Sequence, residues 1–210
     1  MKNTFSTSFF TIAVVAIFAT FISCGKDDAP QKVVALETKT VSNLPAPQTG
    51  GQGQPEGGPF TKFSFSQNAV VTNDVWDIAF RGTKIIVNGG SLIGLNEEPS
   101  RKGVAAVSIV TGSLSSITAI PAANTFVQDG DKTYSFPTSG INSWYDYNAT
   151  SHIISAKAGK VYVVKTHDGK YAKFEILSYY KDAPSSPDGT SLSRFYTFKF
   201  VYQNNSSTSF

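Results

Sequence analysis

Residues 170–180 contain a clear alternation at 172–176. Ala172, Phe174 and Ile176 fall on one side of an extended backbone, and Lys173 and Glu175 fall on the other. Side chains of a strand point to opposite faces in turn, so this run reads as a half-buried antiparallel strand. The same period recurs in residues 194–203, where Tyr196, Phe198, Phe200 and Tyr202 share one face. Residues 160–166 supply a partner, joined to the first run through His167-Asp168-Gly169. Asp-Gly at the centre of a two-residue loop tolerates the positive φ angles of a type I′ turn, so the two runs predict a hairpin. A chain organised around such segments folds as a sheet and not as a helical bundle.

Shorter segments of the same kind lie upstream. Residues 61–66 alternate with Phe63 and Phe65 on one face, and Val75-Trp76-Asp77-Ile78-Ala79-Phe80 reads as a strand. Lys84-Ile85-Ile86-Val87 follows it after a short link, before Asn88-Gly89-Gly90 breaks the pattern. Residues 104–110 form an apolar run of strand length. Helical periodicity is confined to one turn around residues 121–126. The expected fold is all-β, a single antiparallel domain over residues 59–203 with little or no helix, ending in a tail at 204–210. That length is enough for a real core.

The beginning of the chain differs. Lys2 supplies a positive start, and residues 9–21 are apolar apart from Thr11 and Thr20. Crossing ~30 Å of hydrocarbon takes about 20 apolar residues, so this run suits a cleaved secretory signal, not a stable span. Phe21-Ile22-Ser23-Cys24 closes it and resembles the lipobox of bacterial lipoproteins, although Phe21 is bulkier than usual. The expectation is removal of residues 1–23 and a lipid on Cys24 that anchors the chain to a membrane. Cys24 is the one cysteine, so no intramolecular disulfide can form. Lys26-Asp27-Asp28 resembles the signal that sends lipoproteins of the Bacteroidetes to the outer membrane, facing the cell exterior.

Residues 24–58 are expected as a lipidated start and a flexible tether. Residues 33–36 form an apolar patch that can add an edge strand. Beyond it, Pro45, Pro47, Gly50, Gly51, Gly53, Pro55, Gly57 and Gly58 leave little apolar surface to offset backbone entropy. The glycines lack a Gly-Lys-Ser/Thr ending and a following helix, which excludes a phosphate loop. Loss of the signal removes one of 18 basic residues, Lys2, against 15 acidic ones. That near balance gives no basis for a nucleic-acid partner.

Catalytic signatures are missing. The sequence holds no Gly-x-Ser-x-Gly elbow and no thiol besides Cys24. Its two histidines are His152 and His167, and the second sits at an expected hairpin tip where nothing should orient the ring. The chain therefore reads as a binding protein and not an enzyme, and zinc or EF-hand spacings are absent. The positive signal is aromatic: Trp144, Tyr145 and Tyr147 lie close together just before His152. Rings with polar tips beside a histidine can line a site for a flat ligand or a sugar, or alternate aromatics of a strand can pack into a core.

The order of these segments resembles the HmuY family of haem-binding bacterial lipoproteins. Phe63-Ser64-Phe65-Ser66 with Val75-Trp76-Asp77-Ile78-Ala79-Phe80 is similar to its opening strands. Trp144-Tyr145-Asp146-Tyr147, His152, Lys160-Val161-Tyr162-Val163-Val164 and Asp168-Gly169-Lys170-Tyr171-Ala172-Lys173 are similar to its later core. Tyr179-Tyr180 and Phe195-Tyr196-Thr197-Phe198 fit its closing strands. The resemblance implies an all-β fold whose hairpins clasp haem or a related porphyrin, and delivery of it to a TonB-dependent outer-membrane receptor. It also implies axial histidine or methionine ligands. The second ligand position of the founding member falls near Ala149, three residues before His152, and the first position holds no histidine. Met1, the one methionine, leaves with the signal. The resemblance therefore makes His152 the candidate iron ligand and Trp144, Tyr145 and Tyr147 the candidate haem-pocket residues. The alternative is a surface module for glycan or peptide, or a structural accessory of an outer-membrane transporter.

Overall fold

The computed structural model describes residue 1, residues 36–205 and residues 207–210; Cys24 and the run that follows it lie outside the described residues. The described elements are strands, apart from one 3-10 turn at Ala123–Thr125. Their order begins β1 (Thr38–Pro45), β2 (Thr49–Gly51), β3 (Gln54–Gly57), β4 (Thr61–Ser64), β5 (Ala69–Val70), β6 (Ile78–Arg81) and β7 (Lys84–Val87). It continues with β8 (Ala106–Thr111), β9 (Tyr145–Asn148), β10 (Ile153–Ala156), β11 (Lys160–Lys165), β12 (Tyr171–Tyr180) and β13 (Ser193–Gln203). The all-β antiparallel fold is as expected.

Five strands form one sheet in the order β1-β13-β12-β11-β8, and four form a second in the order β5-β4-β6-β7. The alternation that announced the strands also builds the core between the sheets. Phe174 from β12 and Tyr196, Phe198 and Phe200 from β13 meet Phe63, Ile78 and Phe80 from the smaller sheet in one buried cluster. Phe63 and Phe198 touch edge to face, with centroids 5.3 Å apart and planes at 87°. Such pairs add roughly 0.5–1.5 kcal/mol beyond the area they bury. Trp76 and Ile86 point to the opposite side of the smaller sheet and close a second cluster with Phe60 and Ile93.

Three expectations need correction. The supposed tether is partly strand. β1 pairs antiparallel with β13, from Thr38 opposite Val201 to Pro45 opposite Phe195, and β2 pairs with β3. Distant residues supply the partners that the local composition lacks. Arg194 Nη1 donates to the Gln48 carbonyl at 2.7 Å, the Gly58 N–H donates to Glu97 at 2.6 Å, and Lys84 pairs with Glu56. The C-terminal tail is also docked, because the Phe210 N–H donates to Thr118 O at 2.8 Å and Phe210 packs against Leu114, Val161 and Val201. That contact covers Lys173, which is buried where a solvent-facing lysine was expected. Its ammonium donates to Ile117 O at 2.7 Å and lies 4.8 Å from the Phe210 ring centroid.

The β11–β12 turn is the third. Gly169 has φ +85°, but Asp168 is not in the left-handed region. The Thr166 N–H donates to Lys170 O, and the Gly169 N–H donates to Thr166 O at 3.0 Å. The loop therefore has three residues, a tight turn followed by a left-handed glycine, and not the two-residue type I′ turn.

Candidate functional site

The residues singled out around residue 144 sit on and before the β9–β10 hairpin, and the structure separates them. In this hairpin Asn148 is opposite Ile153, Tyr147 opposite Ile154, Asp146 opposite Ser155 and Tyr145 opposite Ala156. Trp144 precedes the first strand and is only 2% exposed. Its indole N–H donates to the Thr83 carbonyl at 2.8 Å, and its ring packs on Tyr145, Tyr179 and Tyr196. Trp144 is therefore a core residue, which corrects its reading as a ligand-facing one. A large ring with a satisfied N–H has every reason to be inside.

Tyr145 is half-buried against Trp144, and its hydroxyl donates to Thr138 O at 3.2 Å. Tyr147, one strand step further out on the same side, is 54% exposed. Its hydroxyl lies 2.6 Å from His152 Nδ1, and the two ring centroids are 6.1 Å apart. His152 ends the four-residue turn with φ +59°, a left-handed conformation. Asn148 Oδ1 accepts the Thr150 and Ser151 N–H groups and holds that turn in shape. The imidazole is thus exposed, fixed through Nδ1, and leaves Nε2 without a hydrogen-bond partner among the described residues.

His167 differs from its expectation. The hairpin tip does not leave the ring unoriented, because Asp77 reaches it from 90 residues away. His167 Nδ1 lies 2.7 Å from Asp77 Oδ1, which also accepts the His167 N–H at 2.8 Å, while Oδ2 accepts the Phe65 N–H at 2.7 Å. The Asp77 side chain is 1% exposed. Burial pushes its carboxyl above the usual range, opposed by the hydrogen bonds from His167 and Phe65. This pair ties the β11–β12 hairpin to the smaller sheet. Sequence reading missed it, since no local signal connects positions so far apart.

A second buried carboxylate network braces the same side of the fold. Asp129 accepts the Val87 N–H at 2.8 Å, the Ser135 N–H at 2.9 Å and the Ser135 hydroxyl at 2.7 Å. Arg101 lies against Asp129 at 3.1 Å and pairs with Glu98, with all three side chains nearly inaccessible.

The HmuY protein family model matches residues 58–191. The chain belongs to the HmuY family. The matched span holds the β9–β10 hairpin and both histidines, while β1 and β13, which complete the large sheet, lie outside it. Among solved structures, a Bacteroides vulgatus protein provisionally described as HmuY-like and haem-binding is 16% identical. That alignment covers 81% of this chain and 93% of the other, with a TM-score of 0.46. The apo HmuY analogue of Tannerella forsythia is 13% identical over 81% of this chain and 97% of its own, with a TM-score of 0.49. A Bacteroides fragilis protein, provisionally a lipoprotein, is 15% identical over 80% and 89%, with a TM-score of 0.46. Among curated proteins, none matches the chain.

Proposed function

We propose that this HmuY-family chain captures haem, or a related porphyrin, through His152, and passes it to a TonB-dependent receptor. In this reading a lipid on Cys24 holds it at the outer membrane, facing the exterior. The observation that carries the proposal is the Tyr147–His152 pair on an exposed hairpin of a family associated with haem binding. Neutral imidazole is a fitting donor for haem iron. With Nε2 on the metal, Nδ1 keeps its proton and donates to the Tyr147 oxygen, which fixes the tautomer and the ring plane. The exposed face of Tyr147 offers an apolar surface for the macrocycle. One histidine on an open turn gives weak, five-coordinate ligation.

Haemin titration of the full chain tests the reading: a saturable change in the Soret band at one haem per chain is expected. A featureless titration removes the haem proposal. Tyr147→Phe keeps the ring and deletes the hydroxyl. It is expected to weaken haemin binding roughly 10–100-fold, the usual cost of losing the partner of a ligating histidine. Equal affinity would show that the hydroxyl does not orient the ligand.

A further inference from the structure

The β9–β10 hairpin presents two different faces. By strand alternation Tyr147 and Ile154 share one side, and Asn148, Ile153 and Ser155 share the other. A cleft of about 440 Å³ lies on that second side, between the hairpin and the loop that joins β12 to β13. Its walls include Asn148, Ser151, Ile153 and Ser155 from the hairpin and Pro187 and Asp188 from the loop. Neither Tyr147 nor His152 lines it. The size falls within the roughly 300–1,000 Å³ of ordinary small-molecule sites.

The cleft's polar groups are held in place yet partly uncommitted. Asn148 spends Oδ1 on the Thr150 and Ser151 N–H groups, at 2.9 and 3.0 Å, and its Nδ2 has no partner among the described residues. Asp188 spends Oδ1 on the backbone and hydroxyl groups of Thr190 and Ser191, and its Oδ2 likewise has none. The Ser151 and Ser155 hydroxyls make no hydrogen bond to a described residue either. The cleft thus combines a planar donor, a planar acceptor and two hydroxyls, each carried on a turn or strand that fixes it. Ile153 and Pro187 add apolar surface beside them.

We infer that this cleft is a second binding site, for a neutral polyhydroxylated ligand of the saccharide class. A pyranose ring has the matching surfaces, with C–H groups for Ile153 and Pro187 and vicinal hydroxyls for the amide and the carboxylate. Hydrogen bonds from Thr190, and then Ser191, hold the Asp188 carboxyl below the usual range, so it is charged at neutral pH. Asp146 adds a second carboxylate on the same face of the hairpin, although Lys157 lies 3.3 Å from it. That charge disfavours phosphates, uronates and the propionates of haem. The site is therefore distinct from the His152 face and stands whether or not haem binds there.

The test is an amide NMR titration of the full chain with four neutral disaccharides: maltose, cellobiose, lactose and sucrose. At least one is expected to shift the signals of residues 148–155 and 187–189, with a dissociation constant on the order of 1 mM. Glucuronate should leave those signals in place. Asn148→Asp keeps the turn-holding oxygen but replaces the free donor with an acceptor, and should weaken binding about tenfold or more. Ser155→Trp fills the cleft from an exposed strand position and should abolish the response while the melting temperature holds. His152→Ala should leave the response unchanged, which separates this site from the haem proposal. No shift with any of the four sugars, an equal response to glucuronate, or a response that survives Ser155→Trp would overturn the inference.

Discussion

Replacing Asp129 with alanine will cost the domain about 4 kcal/mol of folding stability, because it strands several donors in a dry site at roughly 1–3 kcal/mol each. The Val87 N–H lies on the edge strand of the smaller sheet, and the Ser135 N–H lies on a long loop. Both end on this one carboxylate, and both residues are buried. The Ser135 hydroxyl can turn elsewhere, so the two backbone donors carry most of the loss. Arg101 loses one of its two carboxylate partners and keeps Glu98. Folded domains have only about 5–15 kcal/mol in hand, so the variant will be marginal. Urea denaturation reads the effect as a lower midpoint. Asp129→Asn, which retains one acceptor, should recover part of it. A loss below about 1 kcal/mol would show that the site admits water.

Asp77→Ala should cost about 3 kcal/mol by the same reasoning, since the Phe65 and His167 N–H groups and the imidazole all lose their acceptor. His167→Ala leaves both backbone bonds in place and should cost about 1.5 kcal/mol, in line with one hydrogen bond to a charged group. The two variants therefore separate the carboxylate's bracing role from the imidazole's. Asp77 also sets a pH dependence. Burial raises its folded pKa above the unfolded value of 3.8, so the folded chain holds the proton more tightly. The stability this provides is fully present below the unfolded pKa and is lost as pH rises through the folded value. The stability of the native chain relative to Asp77→Asn should accordingly decline as pH rises from about 3.8. A difference that grows over that window would contradict the assignment.

Legibility in the sequence followed the range of the interactions. Ala172, Phe174 and Ile176 announce their strand because the alternation and the buried face are both local, and Tyr196, Phe198 and Phe200 do the same. The strands of residues 38–57 are hidden, because β1 is held by the distant β13 and the β2–β3 region by Arg194, Glu97 and Lys84, while local composition reports mainly proline and glycine. Lys173 looked like a solvent-facing residue because nothing nearby in sequence shows that Phe210 returns to cover it. The candidate site divides in the same way. Tyr147 and His152 are legible together because a short turn joins them. Trp144 went inside because its partners, Thr83, Tyr179 and Tyr196, come from elsewhere in the chain. The His167–Asp77 pair had no local signature at all.

The haem proposal now turns on which histidine meets the iron. His152 presents an exposed Nε2 on a hairpin turn, whereas His167 is committed to bracing the fold through Asp77. Parallel haemin titrations of the native chain, His152→Ala and His167→Ala decide between them. The account predicts that the Soret change is lost in His152→Ala and kept in His167→Ala at temperatures where that variant is folded. A Soret change unaltered in His152→Ala would contradict it.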